Sequence, residues 1–157
     1  MKICNNYFEA INLDFQNQVI FLDIDGTLVS DKGLNFDSLV LRQLEKLKAK
    51  NKVFLCTNSN DKMRKVEIER RLNLPIVTHH YKKPSSKMLV ELNLKPNSKE
   101  LLVIGDKFLT DGLFARNIGS EFIKIKRKIS GKETLIIKII NFLDDISFKI
   151  VLWLKII

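Results

Sequence analysis

Short β-branched and aromatic runs that stop at polar clusters recur along this chain, and that rhythm constrains its fold more than any other feature. Gln18 to Leu22 runs into Asp23-Ile24-Asp25-Gly26-Thr27, Lys52 to Cys56 into Thr57-Asn58-Ser59, and Glu100 to Ile104 into Gly105-Asp106. Apolar runs of this length, bounded by turn residues, read as buried strands. Segments of helical period separate them. Val40, Leu44 and Leu47 recur between Asp37 and Lys50, a charged stretch that Ser59 or Asn60 can cap runs to about Leu72, and Met88, Leu89 and Leu92 follow a cap at Ser85. Pro75 to Val77 and Glu121 to Ile125 add two strands, and Gly119 suits the left-handed end of a helix through Leu113 and Phe114. Strands that alternate with helices imply right-handed crossovers and a Rossmann-like, three-layer α/β/α fold with a mainly parallel, five-stranded sheet. Ligands of such sheets bind at the carboxyl ends of the strands, where every one of these polar clusters lies.

A chain of 157 residues suits one domain with a real core. Its balance of 45% hydrophobic and 29% charged residues excludes a wholly disordered or collagen-like chain. The formal net charge of +9 draws polyanions without choosing among nucleic acid, an anionic membrane and a phosphorylated metabolite, and a Lys-rich coding bias accounts for it equally well. Cys4 and Cys56 form neither a metal-ligand spacing nor a disulfide framework, which fits a reducing compartment. Glu9 and Asp14 interrupt the first segment, so no secretory signal peptide is expected, and the expected location is cytoplasmic, with peripheral contact to a membrane as an option.

Four carboxylates, Asp23, Asp25, Asp106 and Asp111, are expected at one edge of the sheet. Crowded carboxylates repel one another and ionise together only when a cation joins them, and hard oxygen ligands with room for water and phosphate suit Mg²⁺. Asp23 and Asp25, two apart on an extended segment that turns at Gly26, pair a nucleophile with an acid–base group. Lys83 and Thr57 are placed to neutralise and hydrogen-bond phosphoryl oxygens, with Lys82 or Lys87 as substitutes for Lys83. Each element alone is weak, since a lone Asp-Gly-Thr is usually a turn and a Thr that ends a strand is usually structural. Their order at successive strand ends is not. His79 and His80, just before the lysines, read as surface residues of a loop.

These residues resemble the pattern of the haloacid dehalogenase-like (HAD) superfamily: an Asp-x-Asp loop, a Thr or Ser ending the second strand, a Lys, and a Gly-Asp…Asp motif. The resemblance spans residues 18 to 119. It implies that Asp23 forms an aspartyl-phosphate, that Asp25 is general acid and then base, and that Thr57, Asn58 and Lys83 hold the phosphoryl group. It also implies that Asp23, Asp25, Asp106 and Asp111 surround Mg²⁺. The Asp25 position marks phosphatases rather than dehalogenases in that superfamily. The stretches Leu28 to Lys52 and Asn58 to Lys82 leave no room for a cap domain. An uncovered site accepts bulky substrates or borrows a cover. More narrowly, Gly105-Asp106 with Thr110-Asp111, then Arg116-Asn117 and Gly119, and the Lys82-Lys83-Pro84 run resemble the capless subfamily IIIA and, within it, phosphatidylglycerophosphate phosphatases. Gly26 departs from that group, which commonly has Asn there, and the N-terminal segment is short. The alternatives are a phosphatase of nucleic-acid ends or of a small phosphorylated metabolite, and a non-catalytic binding or regulatory module of the same fold.

The expected organisation is a phosphatase core over residues 1–132 and an apolar tail over residues 133–157. A single membrane span there would bury Asp144 and Asp145 near its middle, at about 2.5–3.5 kcal/mol each. Two shorter helices breaking near Asp144 are expected instead, the first covering the sheet and the second, with Trp153 and flanking lysines, lying at a membrane surface, completing the core or making a dimer contact. The basic run Lys124 to Lys132 precedes them.

Overall fold

The computed structural model describes residues 2–4, 9–10, 14–77, 81–94 and 100–154. Six strands, β1 Lys2–Cys4, β2 Val19–Asp23, β3 Lys52–Cys56, β4 Ile76–Val77, β5 Leu101–Gly105 and β6 Glu121–Ile125, form one sheet in the order β1-β6-β5-β2-β3-β4. Every pairing is parallel. The sheet has one strand more than the sequence predicts, because β1 is a three-residue edge strand beside β6, too short to show alternation. The register sets Leu22 beside Leu55 and Ile104, and Asp23 beside Cys56. The chain therefore leaves β2, β3 and β5 at one edge, carrying Asp23 to Asp25, Thr57 and Asp106 out together.

Alternation along each strand splits the core. Ile20, Leu22, Val53, Leu55, Leu102 and Ile104 pack on one face with Val40, Leu44 and Leu47 of helix α1 (Ser38–Lys50) and Ile68 and Leu72 of α2 (Lys62–Leu72). Phe21, Phe54 and Val103 point the other way, towards Met88 of α3 (Lys87–Glu91) and Phe114 of α4 (Leu113–Asn117). The Phe21 ring stacks on Phe54 at 5.8 Å and meets Phe114 edge-on at 5.4 Å.

Short polar side chains start the helices, with small displacements from the expected caps. Asp37 accepts from Leu39 N to begin α1. Asp61, not Ser59 or Asn60, caps α2 through Arg64 N, while Ser59 accepts from Asp61 N one step earlier. Ser86, not Ser85, precedes α3. A π-helical turn over Phe108–Gly112 leads into α4, and Gly119 follows with φ +68°. Among the described residues only α1 lies between β2 and β3, and only α2 between β3 and β4, so neither connection carries a lid. His79 and His80 fall outside the described residues.

The tail corrects an expectation. Leu135–Trp153 is one uninterrupted helix of 19 residues, α5, rather than two that break at Asp144. The carboxylate of Asp144 turns inward and accepts from Phe108 N at 3.0 Å and Leu109 N at 2.7 Å, with Arg127 at 3.3 Å. A buried carboxylate satisfied in this way does not force the helix open. Asn141, Asp144 and Phe148 are the buried residues of α5. Phe148 reaches the Phe108 ring at 5.7 Å and lies under the Lys124 ammonium. No described helix is long and apolar enough to cross a membrane. Truncation by Phe148→Ala is expected to cost about 3 kcal/mol of unfolding free energy in urea titrations, by removing the apolar half of this contact.

Candidate active site

The turn after β2 brings its acids inward. Thr27 N and Leu28 N donate to Ile24 O, and Gly26 N donates to Val29 O, so the chain doubles back at once and buries Thr27 beside Asp23. Thr27 Oγ1 donates to Asp23 Oδ2 at 3.1 Å. Asp106 follows β5, and the π-helical turn lifts Asp111 back over it, where Lys107 N donates to Asp111 Oδ2 at 3.0 Å. Oxygens of Asp23, Asp106 and Asp111 then lie within 4.8 Å of one another, and all three residues are buried.

Lys83 Nζ closes the cluster, 2.5 Å from Asp23 Oδ1 and 2.5 Å from Asp111 Oδ1. Burial pulls the Lys83 ammonium down, but Asp111 and Asp23 outweigh it and hold the group above its ordinary value, so it stays charged. Lys83 reaches Asp23 and Asp111 but not Asp106. Burial pushes the Asp23 carboxyl well above its usual range; Lys83 opposes the shift, while Asp111 and Asp106 add to it. Burial likewise raises the Asp106 carboxyl, against Lys107 and Arg127. Asp106 Oδ2 receives Arg127 Nε at 2.5 Å, yet the buried Asp106 Oδ1 has no hydrogen-bond partner among the described residues. A buried lone pair without a donor, inside a set of hard oxygen ligands, fits a divalent cation such as Mg²⁺.

Two positions depend on glycine. At Gly26, with φ +85°, a Cβ would stand 2.5 Å from Asp106 Oδ2, and at Gly105 a Cβ would run into the Asp111 carboxylate. The departure from Asn at position 26 thus coincides with Asp106 lying directly over the turn.

Asp25 does not join the three clustered carboxylates. Arg64 grips it in a bidentate pair, Nη2 to Oδ1 at 2.7 Å and Nη1 to Oδ2 at 3.1 Å, and Thr57 Oγ1 donates to Oδ2 at 3.1 Å. Asn58 faces the same cleft, but its amide spans the backbone of Lys83, donating to Lys83 O at 2.9 Å and accepting from Lys83 N at 3.0 Å. It positions the lysine. The choice among lysines is resolved by geometry: Lys82 reaches out to Asn60 and Lys87 lies over the Tyr81 ring, so Lys83 alone of the three enters the site. Asp23, Asp25, Thr57 and Lys83 line one cleft of about 240 Å³, with Lys32, Arg64 and Lys107 as further cations and Ile137 of α5 at its margin.

Four residues that act on the site escape a motif reading: Arg64, Lys124, Arg127 and Asp144. Lys124 Nζ donates to Asp106 O at 2.5 Å, and Arg127 joins Asp106 to Asp144. The basic run before α5 is thus partly turned inward. The signal was periodicity. Arg64 stands four residues before Ile68 and eight before Leu72 on the buried face of α2, and Lys124 alternates with Phe122 in β6.

The family described as mitochondrial PGP phosphatase matches residues 5–130. No curated protein matches the chain in sequence. Among solved structures, YfnB from Bacillus subtilis, described as a HAD-hydrolase bound to magnesium, superposes with a TM-score of 0.52 at 10% identity, over 69% of this chain and 86% of that one. The core domain of a protein described as a phosphoglycolate phosphatase from Streptococcus pneumoniae aligns at 20% identity over 79% of this chain and 93% of that one, with a TM-score of 0.41. Gly26→Ala is expected to cost about 1–3 kcal/mol in strain and to abolish the rise in melting temperature that Mg²⁺ gives the wild type, read by calorimetry with and without the ion.

Proposed function

Since this chain belongs to the mitochondrial PGP phosphatase family and is a phosphatase of HAD-like fold, we propose that it hydrolyses phosphatidylglycerophosphate to phosphatidylglycerol, with Mg²⁺ and an aspartyl-phosphate on Asp23. The observation that carries this reading is the convergence of buried Asp23, Asp106 and Asp111 within 4.8 Å of one another, with Lys83 bridging Asp23 and Asp111, beside a cleft rich in cations that Asp23 and Lys83 line. Mg²⁺ held by Asp23, Asp106 and Asp111 would supply positive charge to the phosphoryl oxygens and lower the cost of ionising Asp23.

The chain's own groups supply the rest. Asp23 attacks phosphorus as the bond to the ester oxygen breaks, and Asp25, turned out of its contacts with Arg64 and Thr57 and carrying a proton taken up from solvent, gives that proton to the departing alkoxide. Asp25 then takes a proton from the water that attacks phosphorus, which releases phosphate and restores the Asp23 carboxylate. Arg64, Thr57 and Lys32 N occupy both Asp25 oxygens in the resting geometry and hold the group beside the cleft between turnovers. Lys83, fixed through its backbone by Asn58, offsets charge beside Asp23, and Lys32 and Lys107 line the approach for an anionic substrate. The open cleft leaves room for a headgroup attached to something larger.

Asp23→Asn is expected to abolish turnover of an aryl phosphate, and Asp25→Asn to slow formation and breakdown of the phosphoenzyme by about 10²–10⁴-fold in rapid-quench assays. Full activity of the wild type in excess chelator would contradict the metal's role. In a panel of phosphate esters, phosphatidylglycerophosphate should give the highest kcat/KM; preference for a small sugar phosphate or a nucleic-acid end would replace the proposed substrate.

A further inference from the structure

Helix α5 is held to the core by a mixed polar and apolar side and carries its long apolar face on the uncovered side. Asn141, Asp144 and Phe148 face the core, tied there by the hydrogen bonds of Asp144 to Phe108 N and Leu109 N. On the opposite side Leu135, Ile139, Phe142, Ile146, Ile150 and Trp153 form a continuous stripe at helical spacing, and Trp153 is 82% exposed. A contiguous exposed apolar stripe of this length marks a surface that something else covers.

Two observations choose the occupant. Exposed Lys138 and Lys149 lie along one edge of the stripe, where Asp145 pairs with Arg127, and Lys126, Lys128 and Lys132 are exposed on the segment leading into it. The chain as a whole carries +9. A second copy seated on the same stripe would bring two such cationic edges together, which costs energy, whereas an anionic lipid surface takes the apolar stripe between its acyl chains and the lysines among its headgroups. Ile137, on the inner side of α5 away from the stripe, lines the active-site cleft, so a docked stripe leaves the cleft uncovered. Asp144 locks the helix to the turn that carries Asp111, so the stripe and the cleft keep a fixed relation.

We infer that α5 is an interfacial docking helix whose exposed stripe lies in the headgroup layer of an anionic bilayer and holds the enzyme at the membrane surface. The substrate half of this inference rests on the proposed function; the docking half does not. Docked in this way, the enzyme is concentrated at the surface that presents a phosphorylated lipid headgroup.

The test is co-sedimentation of the full chain with vesicles of phosphatidylcholine alone and of phosphatidylcholine mixed equally with phosphatidylglycerol, using wild type, Ile139→Ser/Phe142→Ser/Trp153→Ser and Lys138→Glu/Lys149→Glu. All these side chains are exposed, and unchanged turnover of a soluble aryl phosphate verifies that each variant is folded. Wild type should bind the anionic vesicles at least tenfold more strongly than the neutral ones, the triple variant should lose this binding, and each lysine replaced should weaken it roughly fivefold. Equal binding by wild type and the triple variant overturns the inference, and so does a wild-type dimer in solution that the triple variant dissolves, because a second copy then covers the stripe. The two readings fail separately. Vesicle binding without hydrolysis of vesicle-borne phosphatidylglycerophosphate removes the substrate and leaves the dock, whereas hydrolysis in detergent micelles without vesicle binding removes the dock and leaves the substrate.

Discussion

Three carboxylates buried side by side are the costliest feature of this molecule, and much of the site's construction serves to keep them there. Asp23, Asp106 and Asp111 arrive from two strand ends and one π-helical turn, and each would repel the others in a medium that solvates charge poorly. Lys83 bridges two of them and Arg127 binds the third, and the backbone amide of Lys107 and the hydroxyl of Thr27 satisfy further oxygens. What is left over is one orphaned oxygen on Asp106 and a raised Asp23 carboxyl, the imbalance that a divalent cation removes. The cluster therefore carries an imbalance that a bound cation would relieve.

The supports of this cluster reach far from the motifs. Asp144, on the last helix, caps the turn that holds Asp111 and shares Arg127 with Asp106. The C-terminal helix is consequently tied into the framework of the acidic cluster and is not an appendage to it. Its inner face sets the acidic turn while its outer face remains apolar, and one element thereby couples the geometry of the ion site to whatever surface the helix meets. Arg64 plays the corresponding part on the other side of the cleft, holding Asp25 away from the cluster so that the two aspartates of the Asp-x-Asp loop occupy different environments.

Most of the fold was legible because strand and helix periods are clean in this sequence. The five expected strands, the helices between them and the gathering of polar residues at one sheet edge all follow from apolar runs that mostly end in Asp, Thr and Gly. The edge strand Lys2–Cys4 was hidden because only Cys4 of its three residues is buried and it carries no apolar run, and the unbroken α5 by the charge on Asp144. A carboxylate in an apolar helix reads as a break when its partners are unknown, and those partners, Phe108 N and Leu109 N, lie 36 and 35 residues away. Within the site, the aspartates and Lys83 were accessible through their ordered spacing. The separate fate of Asp25 and the backbone role of Asn58 were not, since both depend on side-chain direction at the end of a strand, which spacing leaves open. Arg64 was recoverable in principle: its four-residue interval from Ile68 puts a cation on a buried helix face, and such a cation needs an anion.

The central claim is that a divalent ion completes the three-carboxylate cluster. Anomalous diffraction from crystals grown with Mn²⁺ in place of Mg²⁺ addresses it most directly, because Mn²⁺ takes similar oxygen ligands and scatters distinctively. The account predicts one strong peak about 2.0–2.2 Å from an oxygen of Asp23, Asp106 and Asp111, with Lys83 drawn off at least one of its two carboxylates. A peak at Asp25 and Thr57 instead, or a fully occupied Lys83 bridge with no ion in the cluster at saturating Mn²⁺, would contradict it.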